Sequence, residues 1–165
     1  MQSIHTLLLA SAVATAVAST ASAQAARHAP QSSGVTVVLV HGAFADGSSW
    51  SKVIPLLQAK GLKVFAVQNP LTSLAEDVAF TNRIINAQSG PVVLVGHSWG
   101  GSVISQAGAN EKVKALVYVA AFAPSIGESS LDGVKGFPAS PGLAAPIATP
   151  DGFRILREGD RKSVV

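Results

Sequence analysis

The chain has 165 residues, 48% of them apolar and only 13% charged, against roughly 25% charged in an ordinary soluble domain. This length bounds it to one domain. It still allows a real core, since a chain of about 150 residues hides close to 70% of its unfolded surface, and disorder is excluded as the main state. The net charge of +3 comes from 12 Lys and Arg against 9 Asp and Glu, with no basic run longer than Arg161-Lys162, so nucleic-acid binding has no electrostatic footprint; the lack of cysteine excludes disulfides, thiolate nucleophiles and sulfur metal sites.

Residues 1–26 hold no Asp, Glu, Lys or Arg, and an apolar run opens at Leu7-Leu8-Leu9-Ala10 and ends near Ala18. Ala21-Ser22-Ala23 supplies the small-x-small pattern that a signal peptidase accepts, while the run is too short for a membrane span of about 20 residues. Residues 1–23 are therefore expected to be a secretory signal, giving an exported, periplasmic or extracellular chain, and residues 24–34 a polar flexible lead-in.

Residues 35–40 form a short β-branched run with apolar residues on both faces, the signature of a buried parallel strand. A helical stripe over 48–60 follows (Trp50, Val53, Ile54, Leu56, Leu57), limited in regularity by Pro55 and ended by Gly61. Residues 62–67 predict a second strand, broken by Asn69-Pro70. Ser73-Leu74-Ala75-Glu76 is a capping-box start for a helix reaching Ala87. A third strand is expected over 92–95, a third helix including 102–109, and a fourth strand over 113–120. This β-α-β-α-β-α-β order implies right-handed crossovers and a doubly wound, mostly parallel sheet with helices on both faces. From Pro124 to about 159, frequent Gly and Pro without a periodic stripe predict a loop or the start of an inserted cap segment.

Gly96-His97-Ser98-Trp99-Gly100 sits between the third strand and the third helix. A G-x-S-x-G match is weak alone, but this context gives it meaning. A serine at a sharp strand-to-helix turn is forced into a strained backbone that lifts its hydroxyl clear of the sheet. Residues two before and two after must then lack a Cβ, as Gly96 and Gly100 do, and Gly101 adds a further close approach. The helix start also points N–H groups at the place where a carbonyl oxygen would turn negative.

Three segments together resemble the α/β-hydrolase family: Val37-Val38-Leu39-Val40-His41-Gly42-Ala43-Phe44, residues 92–101, and Tyr118-Val119-Ala120-Ala121-Phe122-Ala123-Pro124. The subgroup indicated is that of small cap-bearing serine esterases and hydroxynitrile-lyase-like relatives, over about residues 35–125. The resemblance implies Ser98 as nucleophile and the amides of Ala43 and Trp99 as oxyanion hole. His41, Gly42, Gly96, His97, Gly100 and Gly101 would support the motif. His41 is expected to fix the loop carrying Ala43, and His97 to leave the turn away from Ser98, so neither is expected to be the base. The substrate implied is a small ester-like molecule, with no cofactor and no metal.

The family order of nucleophile, acid and then histidine stops short here: none of residues 99–165 is His, so the base is missing, and Glu128 and Asp132, which follow the fourth strand where some family members place their acid, have nothing to orient; neither acid nor base is assigned in this chain. Glu128 and Asp132 are expected to be solvated loop residues. Two strand-helix units of the family's fold are also missing, leaving the apolar fourth strand at a sheet edge. Residues 160–165 resemble the translation of a common sequencing adapter, and the chain is expected to be an N-terminal fragment of a longer esterase. Alternatives within the fold are a lyase or acyltransferase; outside it, a non-catalytic ligand-binding module or an inactive product.

Overall fold

The computed structural model describes residues 34–138, 146–157 and 159. The expected signal and the closing hexapeptide lie outside the described residues, as does nearly all of the lead-in. Four strands, β1 (Thr36–Val40), β2 (Lys63–Ala66), β3 (Val92–His97) and β4 (Val113–Val119), form one parallel sheet in the order β2-β1-β3-β4. All five residues of β1 are buried, as its two-sided apolar run requires. Pairing aligns Leu39 with Ala66 on one side and Val40 with Gly96 on the other. Between β3 and β4 the register shifts at Val92/Val93, where Val92 pairs Val113 and Val93 pairs Ala115.

The single helix expected over 48–60 is divided. A 3-10 turn at Gly47–Trp50 is capped by Asp46, whose carboxylate accepts the Ser48 amide at 2.7 Å. Hydrogen bonding from Ser48, its side chain first and its backbone second, holds the Asp46 carboxyl below its ordinary value. Helix α1 (Ile54–Gln58) starts afresh. Pro55 explains the division: its ring excludes a carbonyl one turn back, but at the second helical position its missing N–H costs nothing. Gly61, at φ +77, ends the segment.

Helix α2 (Leu74–Asn86) begins at Ser73, whose hydroxyl accepts the Glu76 amide at 3.2 Å. Helix α3 (Trp99–Ala107) begins directly after Ser98, takes in most of the expected 102–109 stretch and stops at Ala107, and seven of its nine residues are buried. One sheet face packs Val38, Val40 and Leu94 against Ile85 of α2 and Val103 and Ile104 of α3. The other packs Val37 and Leu39 against Trp50, Ile54 and Leu57. Helices thus cover both faces, the doubly wound arrangement expected from the order of elements.

β4 is the sheet's outer strand, and five of its seven residues are exposed. Beyond it, where the sequence predicts a loop or the start of an inserted cap segment, lie a 3-10 turn at Asp132–Val134 and a small antiparallel pair, β5 (Ile147–Ala148) with β6 (Arg154–Ile155). Its turn is closed by the Thr149 amide donating to the Phe153 carbonyl at 2.8 Å. Two-residue strands are too short to carry a period. No helix among the described residues is long and apolar enough to cross a membrane.

Candidate active site

β1 and β3 lie side by side at the centre of the sheet, yet the chain leaves β1 toward β2 on one flank and β3 toward β4 on the other. Loops that diverge in this way open a crevice at the carboxyl ends of the strands, the usual ligand position in such sheets. His41-Gly42-Ala43 leaves β1 there, and Ser98 joins β3 to α3.

Ser98 adopts φ 53 and ψ −119, outside the regions open to residues with a side chain, at a cost of about 1–3 kcal/mol. Its surroundings hold it there. The Ser98 carbonyl accepts the amides of Gly101 at 3.0 Å and Phe122 at 3.1 Å, tying the turn to the exit of β4. A Cβ on Gly96 would lie 2.5 Å from the Gly100 carbonyl oxygen, and one on Gly100 would strike the backbone oxygens of Val40 and His41. Gly101 is equally enclosed, by Phe122 and Ala121. These glycines let the ends of β1, β3 and β4 converge on the first turn of α3.

Gly42 brings the other loop to the serine: a Cβ there would meet Ser98 Cβ at 3.1 Å and His97 Nδ1 at 3.2 Å. Among the described residues, the amides of Ala43 and Trp99 donate to no protein acceptor, and the Ser98 hydroxyl has no hydrogen-bond partner. Trp99 opens α3, so its N–H shares the positive end of that helix.

The two histidines near the serine are engaged elsewhere. His41 is fully buried; its Nε2 accepts the Asn69 amide at 3.0 Å, so the ring proton is on Nδ1 and donates to the Gly42 carbonyl at 2.9 Å. The ring thereby bridges the loops after β1 and β2. His97 faces Trp50 edge-on, with centroids 6.5 Å apart. Glu128 accepts the Ser125 amide, and Asp132 pairs with Lys135 at the surface.

One residue here goes unnoticed in the sequence motifs. Asp77, in the first turn of α2, is fully buried; one carboxylate oxygen accepts the Trp99 indole N–H at 2.8 Å and the other the Leu71 amide at 2.8 Å. A signal for it exists, because position 77 falls on the buried side of α2 with Thr81 and Ile85, where a charge is out of place.

Two cavities meet at this crevice. The larger, about 1050 Å³, has Ser98 and Trp99 in its wall with Phe122, Leu131 and Phe137. The smaller, about 660 Å³, is lined by Leu71, Ser73 and the β5–β6 hairpin. Both are bordered by Ala43, Phe44, Leu74, Trp99 and Arg154.

Comparison with known proteins gives a consistent result. A family model described as "Alpha/beta hydrolase family" matches residues 37–163. Salicylic acid-binding protein 2 of Nicotiana tabacum is 36% identical over 110 residues, covering 53% of this chain and 39% of that protein. Pyrethroid hydrolase of Sphingobium wenxiniae is 30% identical over 140 residues, covering 76% of this chain and 42% of that protein. The crystal structure of a pyrethroid hydrolase from Sphingobium faniae superposes with a TM-score of 0.62 at 27% identity, covering 72% of this chain and 54% of that one. The chain spans less than half the length of these two curated relatives.

Proposed function

Since the chain belongs to the α/β-hydrolase family, we propose that it carries the nucleophile half of a carboxylic ester hydrolase, with Ser98 as the attacking group. The observation that carries this reading is the strained Ser98 backbone at the β3–α3 turn, beside two amides without acceptors among the described residues. In this reading Ser98 Oγ attacks the ester carbonyl carbon and the developing oxyanion receives the N–H groups of Ala43 and Trp99. The alkoxide leaves with a proton, and water hydrolyses the acyl-serine.

The base is taken to come from outside residues 98–165, since that stretch holds no histidine. In a serine protease, loss of the base costs about 10⁶-fold in kcat, so slow turnover is expected of this chain. Deacylation needs the same base, and an acyl group once transferred should therefore stay. The test is to incubate the chain with p-nitrophenyl acetate and map adducts by mass spectrometry. Acetylation concentrated on Ser98 and lost in Ser98→Ala supports the reading; adducts confined to lysines, with Ser98 untouched, overturn it.

A second reading is a non-catalytic small-ligand module, favoured by the large cavity beside a serine that no ring assists. The tobacco relative is named for binding salicylic acid. Ligand binding without acyl transfer would select this alternative. Export belongs to the same proposal, on the strength of the apolar run and Ala21-Ser22-Ala23. A secreted form whose mass begins at Gln24 would support it, and an unprocessed form retained in the cytoplasm would refute it.

A further inference from the structure

We propose that Asp77 is a positioning residue: by holding the Trp99 indole and the Leu71 amide together, it sets Trp99 as the partition between the two cavities and so decides how a ligand divides between them. The inference rests on the reading of the crevice as a ligand site.

A buried carboxylate is costly unless its lone pairs are met. Asp77 has no cation beside it among the described residues, whose sole ion pair joins Lys135 to Asp132. Its charge is offset instead by two N–H donors and by its place in the first turn of α2. Both donors belong to cavity walls. Trp99 borders both spaces and Leu71 only the smaller. Leu71 stands at φ 58, a conformation a leucine leaves unless it is held, and the bond from its amide to Asp77 is such a hold. One carboxylate therefore fixes the indole from one side and the wall of the smaller cavity from the other.

The chemistry also explains why this is a carboxylate. Both partners donate, so the group between them must accept twice. An asparagine accepts through one oxygen and turns its own N–H₂ toward the second donor. Asp77→Asn is then a nearly isosteric change that breaks one of the two holds.

The test uses the 165-residue chain with Trp50→Phe, which leaves Trp99 as the sole tryptophan. Trp50 Nε1 has no partner among the described residues, so this background loses no hydrogen bond. Hydrogen exchange of the Trp99 indole N–H and of the Leu71 amide is followed by NMR, and isothermal titration calorimetry with the butyl and decyl ethers of p-nitrophenol, which carry no acyl group to transfer, gives the ratio of the two affinities. In Asp77→Asn at least one of the two N–H groups, the Trp99 indole or the Leu71 amide, is expected to exchange about tenfold or more faster, as loss of a charged hydrogen bond implies, and the affinity ratio to shift several-fold. Trp99→Phe, which cannot make the bond, should shift the ratio alike, and adding Asp77→Asn to it should change the ratio little further. Unchanged exchange at both groups, an unchanged ratio, or fully additive effects would each overturn the proposal. If Asp77→Asn does not fold, the ratio in Trp99→Phe decides alone. Binding is read without acyl transfer, so failure of Ser98 to acylate would remove the esterase reading and leave this result standing.

Discussion

Gly96→Ala probes the close approach on which the serine turn depends. The new Cβ would sit 2.5 Å from the Gly100 carbonyl oxygen, 2.7 Å from its carbon and 2.8 Å from the Gly101 nitrogen, all of them backbone atoms of the first turn of α3. None can swing aside as a side-chain tip does, so β3 and α3 must part by about half an ångström to restore a tolerable contact. Overpacking of this sort costs about 1–3 kcal/mol. The upper end is expected, because α3 cannot retreat freely: Gly100 is already seated on the carbonyls of Val40 and His41. A loss of about 3 kcal/mol in a domain of this size lowers Tm by roughly 10 °C. Thermal unfolding followed by circular dichroism measures it, with Gly133→Ala as control, since a Cβ there meets nothing within 4 Å. The control should stay within about 0.5 kcal/mol of the parent. If Gly96→Ala melts beside the control, the contact does not constrain the turn and the steric argument for the motif fails.

Three further outcomes follow from the same geometry. Ser98→Gly removes the strain of φ 53, worth about 1–3 kcal/mol, and returns about 0.5–1 kcal/mol to unfolded-state freedom; Tm should rise, and a fall would refute the strain. His41→Ala strands the buried Asn69 amide and Gly42 carbonyl at about 1–3 kcal/mol for each unmet group, so urea unfolding should show a loss of about 3 kcal/mol, whereas a loss below 1 would deny the ring its bridging role. The exposed apolar β4 strand should make the chain self-associate in sedimentation, and Val117→Lys, which places a charge on it, should reduce that association; a parent that stays monomeric, or association unchanged in the variant, would show that this strand is not a contact.

The parts of the fold legible in the sequence are those with a local cause. Val37 to Val40 and Val113 to Val119 read as strands because apolar residues, many of them β-branched, fill most of their positions on both faces, and Ser73 announces α2 because its cap lies within three residues of it. The turn at Ser98 is legible for a related reason: the glycines that allow it lie within three residues of the serine. Features that depend on distant partners are not. Periodicity shows α3 only from Ser102 onward, since two glycines in its first turn dilute the apolar stripe while the end of β1 and the exit of β4 enclose them. The division of residues 48–60 follows from Pro55, whose effect is readable in kind but not in position. Asp77 is hidden because its partners, Leu71 and Trp99, are 6 and 22 residues away, and only the fold brings the second of them near.

The burial of β1 along its whole length has a consequence for how the crevice opens. β1 is hydrogen-bonded on both sides and covered on both faces, so its amides should exchange with solvent only when the whole domain unfolds. The loops bearing Gly42 and Ser98 are rooted in β1 and its neighbour β3. The opposite wall is built from residues such as Leu131 and Phe137, which are 70% and 74% exposed and have little to lose by moving. Opening and closing should therefore occur on that wall, with the serine turn standing still. Substitutions there can reshape what enters the crevice at little cost to the stability that holds Ser98 in place.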